Sequence, residues 1–285
     1  MPIISLIVTT VATSTQGLFK KYLNEKCKNS EFTVSAMITL FALLFFAVFS
    51  GDIRLSPEFL PYSAAYGVCY ACAAVTYVLA LNHGSLALTQ LVIAYSCVIP
   101  LGYSLICGET LGVFRIIGIL FLFASLIVTY YRKETGNDKN AVSLKWVALV
   151  ALMFVSNGMC GVLSRMQQIK FSGIYDNSFM LVSLILATLL ISTTAIIRER
   201  RTIMETVRRG VLFSFGSGLS NGIANYFGLI ALALVPNAIV YPVKSAGGLV
   251  LTALMSIFIF KEKLRTAQYI GVGLGILAMV FINIA

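Results

Sequence analysis

Ten apolar runs, most of them close to twenty residues long, take up nearly all of this 285-residue chain. They cover about 2–19, 33–50, 62–81, 86–106, 112–131, 145–164, 177–197, 211–234, 237–260 and 267–285. A helix rises about 1.5 Å per residue, so roughly 20 apolar residues cross the ~30 Å hydrocarbon core of a bilayer. The joins between runs are short, as at Asn82–Ser85 and Gly108–Leu111. Charged residues are 11% of the chain, against about 25% in a soluble domain, too few to wet an aqueous surface. The expected fold class is therefore all-α: a polytopic membrane protein with ten transmembrane helices. No room is left for a sizeable extramembrane catalytic or nucleic-acid-binding domain, so the expected surroundings are a lipid bilayer, with no nucleic acid.

The net charge of +10 has a topological reading under the positive-inside rule. Alternate connections carry 16 of the 21 Lys and Arg residues, in the stretches 20–28, 132–145, 198–209 and 261–265. The other side has Arg54, Arg115, Arg165 and Lys170. This split predicts a multi-pass protein of the cell membrane with both termini outside. Five of the six cysteines lie in apolar runs, so no disulfide framework is expected. Cys69 and Cys72 form a C-x-x-C inside a helix, open to a packing or a redox reading. The first run has no basic residue before it and no small-residue cleavage site, and counts as a span rather than a signal peptide.

The hydrophilic stretch Arg132–Asn140 divides the chain into halves of five runs each: a first repeat at 1–131, a connection at 132–144 and a second repeat at 145–285. Glu109, Leu111 and Gly118 in the first half match Glu262, Leu264 and Gly271 in the second. An odd number of spans per half requires such a repeat to be inverted in the membrane, a recurring plan of secondary transporters. These residues, together with Tyr241-Pro-Val-Lys-Ser-Ala-Gly-Gly248 in the ninth run, resemble the drug/metabolite transporter superfamily, EamA-type branch. The resemblance implies ten helices in two inverted repeats, a central cavity and alternating access; it implies no particular substrate. In one respect the chain departs from that branch, whose termini are usually cytoplasmic.

The remaining basic residue, Lys244, lies inside the ninth run, seven residues after Asn237. An intramembrane cation either faces a partner or wet cavity or snorkels to the interface. Pro242 removes the helical partner of the Ala238 carbonyl, and Pro100 does the same to Ser96, so both are expected helix breaks. Broken backbone at membrane depth is tolerated where it is buried or lines a cavity. Asn221 and Asn225, four apart in the eighth run, share a face and sit near the depth of Lys244. Tyr66 and Tyr70 belong with Tyr77 to one aromatic stripe of the third run, fit either for an organic solute or for packing. Asn157, Tyr95 and Tyr241 complete the candidate substrate-binding set, with interhelical hydrogen bonding as the other reading of the asparagines.

No Asp or Glu lies mid-span, and no G-x-S-x-G, H-E-x-x-H or phosphate-binding loop occurs. The expectation is a non-enzymatic secondary transporter without cofactor or metal. It would carry a small anionic or zwitterionic metabolite such as an amino acid, with possible coupling to a proton or other ion. The alternatives are an exporter of lipophilic drugs or amines, and a non-transporting membrane scaffold.

Overall fold

A computed structural model describes residues 2–27, 30–49, 51, 53–83, 92–93, 95–108, 112–130, 144–236, 239–241, 243–244, 247–248, 251, 270, 273–274, 277–278 and 281. Among these residues the chain is all-helical, without strands. Eight helices follow one another: α1 (Pro2–Lys26), α2 (Glu31–Phe49), α3 (Leu60–His83), α4 (Val98–Ile106), α5 (Val113–Tyr130), α6 (Leu144–Phe171), α7 (Asp176–Glu199) and α8 (Ile203–Leu234). They correspond in order to the first eight apolar runs. Further helical residues, 239–241, 243–244, 247–248 and 251, then 270, 273–274, 277–278 and 281, fall in the ninth and tenth. Pro242, Glu109, Glu262, Gly271 and the connection at 131–143 lie outside the described residues.

Several helices outrun their apolar segments. α1 continues to Lys26, α6 to Phe171, and α8 starts at Ile203 rather than near 211. Lys and Arg are good helix formers, so a charged flank ends the lipid-facing stretch without ending the helix. α4 does the opposite and starts only at Val98, two residues before Pro100.

Among the described residues, four helical stretches are long and apolar enough to cross a membrane: Pro2–Lys20, Glu31–Phe49, Leu144–Phe171 and Asp176–Glu199. Side-chain placement agrees with a lipid surround. Ile3, Ile4, Ile7 and Val11 leave an apolar stripe of α1 exposed, and Leu189, Ile196 and Ile197 do so on α7. Hydroxyls point inward instead. With no water available, they donate to the carbonyl one turn back, as Thr10 does to Leu6 O (2.7 Å), Ser14 to Thr10 O (2.9 Å) and Ser183 to Phe179 O (2.7 Å).

The bundle interleaves its two halves. α1 packs on α8, α2 on α7 and α8, α3 on α6 and α7, and α4 on α6. Glycines make these approaches possible, because between lipid-embedded helices the attraction comes largely from close van der Waals contact. A Cβ on Gly218 would stand 2.7 Å from the Ile38 carbonyl of α2, and one on Gly222 only 2.6 Å from the Phe45 ring. On Gly67 of α3 it would meet Ser183 O of α7 at 2.7 Å. Gly248, in the ninth run, behaves differently: nothing lies within 4 Å of its Cβ position, although its carbonyl accepts a 3.1 Å bond from Ser14 of α1.

One polar contact fastens α2 to α7. The N–H groups of Phe32 and Thr33 belong to the first turn of α2 and have no partner within the helix. Both donate to the Glu199 carboxylate at the end of α7, at 3.0 and 2.8 Å, and the Thr33 hydroxyl adds a third bond at 2.7 Å. The cap that a residue next in sequence usually supplies thus comes from a buried carboxylate 166 residues away.

Two outcomes are expected. Gly218→Ala forces α2 from α8 and lowers Tm in detergent by an amount equivalent to about 1–3 kcal/mol, whereas Gly102→Ala, with nothing within 4 Å, leaves Tm unchanged or raises it. Glu199→Ala strands three donors and destabilises by roughly 2–3 kcal/mol, and Glu199→Gln, which keeps an acceptor oxygen, loses less. Equal melting temperatures for the two Glu199 variants would remove the capping role.

Candidate functional site

The centre of α6 brings the candidate residues together. At about 100° per residue, Asn157, Gly161, Ser164 and Gln168 fall on one face, turned toward α3, α4 and α8. At the first level Asn157 Nδ2 donates to Ser96 Oγ at 2.5 Å, and that hydroxyl donates to Ile93 O at 2.6 Å. Pro100 cannot supply an N–H to Ser96 O. That carbonyl accepts instead from Ile99 N at 3.2 Å, a tighter turn. The break expected at Pro100 is therefore present, and glycines on α6 receive it. Cβ positions on Gly158 and Gly161 would lie 2.5 Å from Ile99 Cδ1 and 2.9 Å from Pro100 Cγ.

One turn further along α6, Cys160 is the common neighbour of the other candidates. Its buried thiol lies within electrostatic reach of Lys244, Tyr66, Tyr70 and Tyr241. The Tyr241 hydroxyl donates to Gly161 O at 2.7 Å, tying the ninth run to α6. Tyr66 and Tyr70 stack with ring centroids 6.2 Å apart and planes 19° apart. Asn221 of α8 donates through Nδ2 to the Tyr70 hydroxyl at 2.7 Å, and Asn225 Nδ2 donates to Asn221 Oδ1 at 2.8 Å. The relay leaves the Tyr70 O–H proton and the Asn225 carbonyl oxygen able to bond a solute. Lys244 is partly buried, and among the described residues its electrostatic neighbour is Cys160. The ammonium and the phenol O–H are donors suited to a carboxylate, while the Asn225 carbonyl oxygen is an acceptor suited to the ammonium of a zwitterionic solute.

Two aromatic candidates stand apart. Tyr95 stacks on Phe123 of α5, with centroids 5.4 Å apart and planes 10° apart, and so serves helix packing. Tyr77 shares the expected stripe but packs among Ala80, Met153, Trp146 and Leu149, toward the opposite end of α3 from Tyr66.

The apolar runs concealed several residues that the structure brings to the same region. Arg165, assigned by its position to a connection, lies within α6. Its Nη1 donates to Leu232 O of α8 at 2.9 Å, and its charge acts on Tyr241. The clue in the sequence was its spacing, four residues after Gly161 and eight after Asn157, which continues the polar face. Beyond it, Gln168 Nε2 donates to Asp176 Oδ2 across the Ser172–Gly173 turn, whose two residues have left-handed backbones with φ of 49° and 78°. Gln167 is fully buried beside Asp176, and among the described residues neither of its amide atoms makes a hydrogen bond of good geometry.

No family model matches the chain. The quaternary ammonium compound-resistance protein QacG of Staphylococcus sp. (strain ST94) is 34% identical over 71 residues, a quarter (25%) of this chain and 66% of that protein. A solved chain, described only as the crystal structure of a protein, superposes with a TM-score of 0.79 at 15% identity. It covers 99% of this chain and 96% of its own length. This likeness establishes a shared fold over the whole chain.

Replacing Gln167 by Met, which has similar volume and no amide, should leave Tm unchanged or raise it, since orphaned buried polar atoms oppose folding. A clear drop in Tm would show that the amide has an ordered partner such as a bound water.

Proposed function

We propose that the chain is a ten-helix secondary transporter, not an enzyme, that moves a small anionic or zwitterionic metabolite such as an amino acid by alternating access. The observation that carries this reading is the cluster around Cys160: it packs with Tyr66 and Tyr70, and Lys244 of the ninth run lies within electrostatic reach of it. The Asn225–Asn221 relay joins them through Tyr70. An intramembrane cation among hydrogen-bonding groups is the expected signature of a solute pathway.

The helix pairings support two inverted five-helix repeats, at 1–131 and 145–285. Raising each first-half helix number by five, and lowering each second-half number by five, turns the α1–α8 contact into α6–α3. It also turns α2–α8 into α7–α3 and returns α2–α7 to itself. The α4–α6 contact has its image in the Ser14–Gly248 bond between the ninth run and α1. Phe121 of α5 stacks on Phe281 of the tenth run at 5.5 Å, a pairing that maps onto itself. A pseudo-twofold exchange of this kind places a binding site between the halves, where Cys160 and Tyr70 lie. We place both termini outside the cell membrane, because Lys and Arg concentrate in the stretches 20–28, 132–145, 198–209 and 261–265. The driving force would be a solute, proton or ion gradient.

A second reading, an exporter of quaternary ammonium compounds or other lipophilic amines, draws on the likeness to QacG and on the stacked Tyr66–Tyr70 pair, which could offer a cation–π surface. Lys244 opposes it. Two like charges ~6 Å apart at an effective dielectric of ~20 repel by about 3 kcal/mol, roughly a hundredfold in affinity.

Uptake by proteoliposomes separates the two. Lys244→Gln should abolish transport of carboxylate metabolites, and unchanged uptake with unchanged pH dependence would reject the lysine as charge contact. Thermal stabilisation by amines, with none by carboxylates, would favour the second reading.

A further inference from the structure

Among the described residues, the junction between α7 and α8 gathers positive charge that Glu199 and Glu205 leave uncompensated. Arg198, Arg200 and Arg201 bound a cavity of about 280 Å³, together with Ile197, Glu199 and Thr202. Of the two carboxylates nearby, Glu199 is committed to three donors of α2. Glu205 pairs with Arg209 at 2.8 Å. Arg198 leans over the Phe32 ring at 5.7 Å, and Arg200 and Arg201 are exposed. Guanidinium groups form planar forks that match phosphate oxygens in pairs.

The flanks of the cavity say where the anion comes from. Ile196, Ile197 and Met204 are 57%, 76% and 80% exposed. Ile196 and Ile197 stand beside the arginines at the end of α7, which is long and apolar enough to span a bilayer, and Met204 follows in the first turn of α8. Large apolar side chains exposed next to a cationic rim belong at the boundary between headgroups and acyl chains. A soluble anion would use the arginines and leave this apolar surface bare.

We propose that this cavity binds the phosphate headgroup of an anionic phospholipid, with acyl chains lying along Ile196, Ile197 and Met204. The inference does not depend on what the chain transports. A bound lipid would neutralise the arginines at the α7 terminus, next to the Glu199 cap on α2, and so hold together the membrane face on which α1, α2, α7 and α8 meet.

The experiment measures Tm of the full chain in detergent with added phosphatidylglycerol or phosphatidylcholine, at low and high ionic strength. Phosphatidylglycerol should raise Tm, and tenfold more salt should shrink the shift, because surface charge contacts are screened. The exposed double variant Arg200→Gln/Arg201→Gln should bind phosphatidylglycerol at least tenfold more weakly, Arg200→Lys/Arg201→Lys less so, and Lys170→Gln on the other face should behave as the parent. An equal shift from phosphatidylcholine, or an undiminished shift in the Gln double variant, overturns the proposal. So does reproduction of the whole shift by inorganic phosphate, which would make this a soluble-anion site.

Discussion

Lipid offers no hydrogen bonds, and this constraint shapes every polar contact in the bundle. A polar group taken into hydrocarbon without a partner is costly, so most such groups find one inside the protein, with Gln167 an exception. Hydroxyls solve the problem locally by bonding the preceding turn, as Thr10 and Ser183 do. Groups that cannot do so must reach across helices. The first turn of α2 finds Glu199, Asn157 finds Ser96, and Asn221 finds Tyr70. These cross-links need helix axes close together, and the glycines of α6 and α8 allow that closeness. Gly218 and Gly222 bring α8 against α2, while Gly158 and Gly161 let α6 accept the bent entry to α4.

The same two devices build the candidate site. Gly161 leaves room for Pro100 and Tyr241 against α6, and its carbonyl takes the Tyr241 hydroxyl. Tyr241 and Lys244 are three residues apart, so on helical backbone they lie on neighbouring positions of one face. Anchoring the tyrosine therefore also directs the lysine toward Cys160. Packing and polarity are not separate layers here: the small residues that bring helices together also decide which polar groups meet.

Much of this was legible along the chain. Apolar runs located all eight bounded helices, and the missing N–H of Pro100 marked the place where the fourth run departs from regular helix. The i, i+4 spacing of Asn221 and Asn225 put them on one face, where the structure joins them by a hydrogen bond. Tyr66 and Tyr70 were legible as a stripe, but Tyr77 on that stripe meets a different cluster, because helical spacing sets direction and says nothing of what stands opposite at another depth. Arg165 was misassigned for a related reason. A run of apolar residues marks the lipid-facing stretch, while the helix itself continues on backbone hydrogen bonds for as long as residues such as Met166, Gln167 and Gln168 permit it.

By itself the sequence determined the environment and the vertical order. Composition points to lipid, run length marks the stretches able to cross it, and charge asymmetry supplies an expected direction. These are one-dimensional properties, since depth in a bilayer follows from position along a helix. Azimuth does not follow, because helices apolar on nearly every side show little preference for which side faces in. Only the tertiary structure decided that Glu199 caps α2, that Arg165 reaches Leu232, and that Cys160 packs with Tyr66 and Tyr70. Those contacts join residues far apart in the chain and depend on which helices pack together, a choice made by shape complementarity between whole helix surfaces.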